Sequence, residues 1–533
     1  MMKHYAKRTV QIITAAMMML AAPAMAWGEV VKYISGDKEK SIEATVLTGE
    51  ETTLGTDGAE TETWYVVPEG GVNYSQGLTL SGKVYLILRD GATMTVGTSE
   101  NDELIENITF SYSLLNAGGS INIFAQSTGE NMGILKTDGA IVGADGITIN
   151  GGKIEATSSG EEIARALFSF ASPIIINGGD VTATAEGTSS DCERKAISCG
   201  NSDIIINGGK VTAKATGEGS PNSFDMWASN NISIFGGQVT AMDKGIFAQG
   251  SITLSWSKGT DFIQASSIRR SDDNNGTISL LQGKNMAYLD GENDDIIVSL
   301  EGTITDPAKL DRKKLTPPMV KLFDTGKTNL WMTWCDQGVW VMPKGCTACK
   351  VSGISTDGKS VMIEPIENGE VPGYTPVLIK REYQNISYNA TFSETGKQPS
   401  SSNEDDSKGW VFKGNYYTNS MGPLYGIDAT YADKVSYILL NDEFVRVYAN
   451  GEIQPRRCWL TVTPAATNTA GARRLSIGSA NSSGGTTAIR TMDGDSSDAA
   501  SDALWHTLDG RTLTTRPTQK GIYIHQGNKI IIK

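Results

Sequence analysis

Four stretches of this chain alternate apolar and polar positions in the same way. They are Ile147–Thr157 (ITINGGKIEAT), Ile174–Thr184 (IIINGGDVTAT), Ile204–Lys214 (IIINGGKVTAK) and Ile232–Met242 (ISIFGGQVTAM). In each, Ile154, Val181, Val211 or Val239 shares a phase with Ala156, Ala183, Ala213 or Ala241, and Glu155, Thr182, Thr212 or Thr240 takes the opposite phase. A period of two marks a strand with one buried face. The Gly-Gly pair ahead of that strand supplies a corner, where glycine tolerates the positive φ of a sharp bend. A third apolar segment follows the strand: Ala166-Leu167, Ala196-Ile197 and Met226-Trp227, with Gly245-Ile246 opening a weaker unit.

The second glycines, Gly152, Gly179, Gly209 and Gly237, are spaced 27, 30 and 28 residues apart. A period in this range signals stacked units, because a coil of three short strands cannot close a core by itself. The expected fold is a right-handed parallel β-helix with one continuous apolar column. Asn150, Asn177 and Asn207 would then fall in register as an amide ladder. The insertions Ser158–Ala164 and Gly217–Ser223 are expected to protrude. Poorer copies precede the strong ones (Leu78–Leu88, Asp90–Val96, Ile121–Phe124, Gly133–Lys136) and follow them (Ile252–Trp256, Phe262–Ala265, Thr277–Leu281), fading near 295–305.

The texture then changes. Residues 308–318 (AKLDRKKLTPP) are charged and bear prolines, as a linker would. From Val320 to about Pro464 the apolar runs lengthen and lose the repeat, which reads as antiparallel strands between turns. The tract from Gln398 to Gly409 reads as an exposed loop, and the Ser/Gly/Ala-rich stretch after it as a flexible tether. The chain is therefore expected to be all-β: a β-helix over 61–305 after an N-terminal segment 27–60, a linker 306–319, an antiparallel β-sandwich-like domain 320–466, a tether 467–500 and a small C-terminal β module 501–533.

Residues 1–26 combine a basic start (Lys3, Lys7, Arg8), an apolar run from Val10 to Ala22 and the small-x-small ending Ala24-Met25-Ala26. That pattern predicts a cleaved signal peptide; the run is short of the ~20 residues a membrane span needs. The protein is expected to be exported, extracellular or on the cell surface, with no transmembrane helix. Removing the segment takes the net charge from −14 to −17, since it carries three positive and no negative charges. An acidic chain repels phosphates, which argues against nucleic acid as a partner. Glycine, 59 of 533 residues, exceeds the usual ~7% share, as a corner-rich fold requires. The three histidines are His4, His506 and His525, so the bulk of the chain has no histidine for catalysis. Six cysteines allow 15 pairings. Cys346 and Cys349 form a CxxC, but no second CxxC or nearby histidine completes a zinc shell, and the pair is expected to be structural.

The segments Trp64–Val67, Leu86–Thr93 (LILRDGAT) and Ile123–Gly129 (IFAQSTG), followed by the Asn-Gly-Gly-x-Val-x-Ala coils, resemble a family of secreted β-helix proteins. These are labelled carbohydrate-binding domain-containing or adhesin-like and are frequent on Bacteroidota surfaces. The resemblance implies a non-enzymatic role in binding polysaccharide or host-surface glycan; some relatives are implicated in binding acidic plant polysaccharide and calcium. Trp505–Arg511, Lys520–Ile524 and Gly527–Lys533 are similar to the C-terminal sorting domains read by type IX secretion machinery, in a shorter form, which implies that machinery as a partner.

Sugar binding uses exposed aromatic faces. Trp227, Phe247 and Trp256 in the late coils are the candidate carbohydrate platform; packing inward is the alternative for each. Trp331, Trp334 and Trp340 are assigned to the core of the middle domain. Asp290, Glu292, Asp294 and Asp295 lie within six residues, bent by Gly291, and are the candidate ligands for Ca2+; a solvated turn is the alternative. With so acidic a chain, binding a polyanionic glycan would require such a bridging cation. No catalytic residue is assigned. Two rivals stand beside glycan binding. One is a polysaccharide lyase or hydrolase on the same scaffold, which would need acid/base groups converging in one cleft. The other is a structural stalk presenting another module.

Overall fold

The computed structural model describes residues 28–56, 62–100, 111–217, 220–272, 275–291, 296–396, 409–416, 425–431, 434–463, 472–479, 505–507, 512–513, 521–525 and 528–532. Expectations for residues 1–26 and for the tract 398–408 lie outside the described residues.

The repeats stack as a parallel β-helix with three walls. The first wall runs from the strand Lys38–Val46 to Ile278–Leu280, the second from Thr53–Gly55 to Ile268–Arg270, and the third from Val72–Tyr74 to Phe262–Ala265, each coil pairing in parallel with the next. Ile147, Ile174, Ile204, Ile232, Ile252 and Ile278 lie directly over one another in the first wall. Ile154, Val181, Val211, Val239 and Ile263 do the same in the third, and Leu167, Ile197, Met226, Ile246 and Ile268 in the second. These residues are buried in one cluster that runs the length of the coil stack.

Each buried isoleucine contributes roughly 2–3 kcal/mol. The Asn ladder also forms: the Asn177 amide donates to Asn150 Oδ1 at 2.9 Å and the Asn207 amide to Asn177 Oδ1 at 2.7 Å. Those bonds are exposed and worth about 1 kcal/mol each at most, so the column outweighs the ladder.

Two requirements converge on the corner glycines. Gly179, Gly209 and Gly237 have φ of +88°, +83° and +91°. A Cβ there would also approach the carbonyl of the glycine one coil earlier at 2.5, 2.7 and 2.6 Å. No side chain fits.

The first expected insertion, Ser158–Ala164, does not protrude; residues 218–219 of the second lie outside the described residues. Lys153–Gly160 pairs residue for residue with Asp180–Gly187, so Ser158 and Ala185 continue the inner face, joined by Ala215. Ser158 and Ala164 are both fully buried. The added residues lengthen two walls and widen the interior, and polar groups fill the gain. Arg194, 1% exposed, donates to the carbonyls of Ser189 (2.6 Å) and Cys192 (3.3 Å), over glycines 187 and 217. The buried Asp225 carboxylate accepts the N–H groups of Ala215, Asp243, Lys244 and Gly245 at 2.7–2.9 Å.

Both ends differ from expectation. The coil stack begins inside 27–60: Val46 pairs with Val66 and Leu54 with Leu80. The hairpin of Gly28–Ser35 with Lys38–Val46 lays Val31 and Tyr33 over Trp64, Tyr85 and Phe124 outside the first wall. At the other end, Met286–Asp290 and Ile296–Leu300 form an antiparallel hairpin instead of a further coil. Residues 306–319 are a cap and not a linker: Leu315 pairs with Ile263, and Leu310 and Leu315 are buried in the column. The physical reason is the open end of that column, which these leucines cover.

The next domain is built from a four-stranded and a ten-stranded antiparallel sheet, with Phe323, Trp334, Trp340, Ile379 and Tyr388 between them. Trp334 and Trp340 are core, ring centroids 6.1 Å apart, whereas Trp331 is half-buried. Cys346 and Cys349 sit three apart on one extended strand, so they face opposite sides of the sheet, and the CxxC is structural as expected. Arg474–Ser479, expected in a tether, is a strand of the larger sheet with Leu475 buried against Phe444. Separately, Trp505–Thr507, Thr512–Leu513, Gly521–His525 and Asn528–Ile532 form a four-stranded antiparallel sheet. Among the described residues no helix is long and apolar enough to cross a membrane.

Substituting Gly209→Ala should lower unfolding stability by about 3 kcal/mol, whereas Asn177→Ala should cost about 1 kcal/mol; denaturant titration checks both. Asp225→Asn should cost about 3 kcal/mol, because an amide presents a donor where four N–H groups converge.

Candidate functional site

Strand alternation that turns Leu167, Ile197, Met226 and Ile246 inward turns their neighbours out. On the outer face of the second wall, Phe168, Ser198, Trp227, Phe247 and Arg269 therefore form one column, in register on successive coils. A parallel column, Arg165, Lys195 and Phe224, runs beside it. Coil spacing of ~4.8 Å brings these groups into contact.

Phe224 stacks on Phe247 with centroids 4.7 Å apart and ring planes 23° apart. The Lys195 ammonium lies 3.8 Å from the Trp227 ring centroid and 2.7 Å from Glu193 Oε1. The Arg165 guanidinium sits 4.4 Å above the Phe168 ring and reaches the same Glu193 oxygen at 3.4 Å. Burial lowers the Lys195 pKa, against the opposing pull of Glu193. Arg269 is exposed at the end of the column. Three cations thus share this strip with one carboxylate. Cation–π contacts of this kind hold rings and charges in fixed positions.

Trp227 and Phe247, each half-buried, are brought together. Trp256 is not with them: it is 5% exposed, donates from Nε1 to the Asn285 carbonyl at 2.8 Å and meets Phe392 of the sandwich edge-on at 5.7 Å. It closes the column end, where a sugar cannot stack on it. Beside it, the Thr391 hydroxyl donates to the Gly259 carbonyl at 2.8 Å. A cleft of about 360 Å³ opens there between Ser257, Lys258 and Thr260 on one side and Glu370, Ser393 and Glu394 on the other.

For the acidic cluster, Asp290 Oδ1 is paired with the Lys313 ammonium at 2.8 Å, which holds its carboxyl below the usual carboxylate range. Glu292, Asp294 and Asp295 lie outside the described residues. Among the described residues no three His, Cys, Asp or Glu side chains come together as a metal site.

Sequence reasoning missed Arg165, Lys195, Phe224 and Arg269. A signal existed: the third segment of each coil alternates too, and aligning Lys195 with Phe224 and Ser198 with Trp227 would have gathered the strip on one face. Comparison of the chain with protein-family models, with curated proteins and with solved structures gives no match.

Proposed function

We propose that this chain is an exported surface protein that binds acidic glycan, without chemistry, along the outer face of the second wall. The observation that carries the reading is the pair Trp227 and Phe247, one coil apart, backed by Phe224 and flanked by Lys195 and Arg269. Aromatic rings receive the apolar face of a sugar, and the exposed Arg269 receives its carboxylate. The resemblance to secreted carbohydrate-binding β-helix proteins and the signal-like N-terminus support the same reading. Net charge argued for a bridging calcium ion; the exposed Arg269 at the end of the strip offers a direct contact instead.

A second reading, β-elimination on an acidic polysaccharide, is favoured by Lys195. Burial lowers its pKa while the Glu193 carboxylate 2.7 Å away pulls it up, and a lysine that has lost its proton can serve as a general base. It would remove a proton next to the uronate carboxyl; the C=C bond forms as the C–O bond to the departing sugar breaks, and that oxygen takes a proton from water, leaving an unsaturated sugar.

On a glycan array, the protein should bind uronate-bearing glycans, and binding should survive a calcium chelator. Trp227→Ala should weaken it about tenfold with an unchanged melting temperature. A wild-type protein that retains no glycan would refute the first reading. Release of ultraviolet-absorbing unsaturated sugar, abolished in Lys195→Met, would establish the second.

A further inference from the structure

Six thiols are present in the chain, and the fold separates most of them. Cys346 and Cys349 face opposite sides of one strand. Cys192 and Cys199 lie at the two ends of the strand Glu193–Cys199, about 20 Å of extended chain, far beyond the ~7 Å between Cα atoms that a disulfide spans. Cys335 and Cys458 behave differently. They are 123 residues apart in the chain, yet Cys335 Sγ lies 3.4 Å from the carbonyl of Arg457, the residue before Cys458. Reciprocally, Cys458 Sγ lies 3.1 Å from the carbonyl of Trp334, the residue before Cys335. The backbone N–H of Cys458 also donates to the Thr333 hydroxyl at 3.1 Å, which fixes the two segments side by side.

Space has been left for the sulfurs. Gly414 is the strand partner of Cys458, and a Cβ on it would stand 2.7 Å from Cys335 Sγ. Both cysteines are sealed from solvent, at 0% and 1% exposure. The neighbouring Cys458 thiol and burial together push the Cys335 thiol well above its ordinary value, burial being the larger cause.

We propose that Cys335 and Cys458 are joined by a disulfide that staples the sandwich domain. Each thiol gives up its hydrogen and an S–S bond forms. The two electrons and two protons pass to a small-molecule or protein disulfide, which leaves as two thiols. Because a buried, protonated thiol is a poor nucleophile, the bond forms while the domain is folding and is then shielded from reductant. The link closes a loop of more than a hundred residues, the case in which a disulfide restricts the unfolded chain most.

The test does not depend on where the protein resides or on what it binds. The full chain is denatured, reduced, refolded in a mixture of oxidised and reduced glutathione, and alkylated under denaturing conditions before proteolysis. Mass spectrometry should find one peptide pair joined through Cys335 and Cys458, about 2 Da lighter than the two free peptides. A map in which both residues carry the alkyl group overturns the proposal. As a second readout, the oxidised protein should melt about 10 °C above the same protein reduced in denaturant and refolded with reductant present, and the double variant C335A/C458A should lose that difference. An identical melting temperature for the oxidised wild type and for wild type reduced while unfolded also overturns it.

Discussion

Coil-to-coil register is the constraint on which the rest of this structure depends. Along all three walls the backbone N–H groups of one coil are satisfied by the carbonyls of its neighbour, which holds the coils ~4.8 Å apart. At that separation two glycine corners stack with no room for a β-carbon, as the approach of Gly209 to the Gly179 carbonyl demonstrates. Register also converts a one-dimensional repeat into columns. An isoleucine recurring at one phase becomes a dry spine, an asparagine becomes an amide ladder, and outward residues of consecutive coils become a surface strip.

A spine of this kind has open ends and a variable width. At the N-terminal side a hairpin packs against the outside of the first wall, apart from the column. Leu310, Leu315 and Trp256 close the far end and join it to the sandwich. In the middle, longer strands enlarge the cross-section beyond what aliphatic side chains fill. Arg194 and Asp225 occupy that lobe, with both terminal guanidinium nitrogens of Arg194 on backbone carbonyls and the Asp225 carboxylate on backbone N–H groups, partners that burial of a charge calls for.

The strip on the second wall follows from the same geometry. The chain as a whole is acidic, −14 by composition, but Arg165, Lys195 and Arg269 share one face, the first two around the Glu193 carboxylate. Net charge averages over surfaces that a ligand never meets together. Aromatic rings on successive coils then offer contacts at a fixed repeat, which suits a polymeric ligand with its own repeat.

The stacked coils, their three strands, the glycine corners and the Asn150–Asn177–Asn207 ladder were all legible in the residues, because each is a local pattern repeated at fixed spacing. Trp334 and Trp340 were legible as core for a related reason, lying in short strands rich in large apolar residues. Trp256 was not: its place depends on Phe392, far along the chain, and an isolated tryptophan in a late coil looks the same whether it faces solvent or a docked domain. Residues 306–319 looked like a linker because charge and proline dominate their composition, while the two leucines that matter find their partners only at the column end. Likewise Lys195 and Trp227 are neighbours through strand pairing, and Cys335 and Cys458 through the packing of segments 123 residues apart. Periodicity therefore determined the helix and which face each repeat residue takes. Contacts between segments distant in the chain, which carry no local signature, were decided by the tertiary structure.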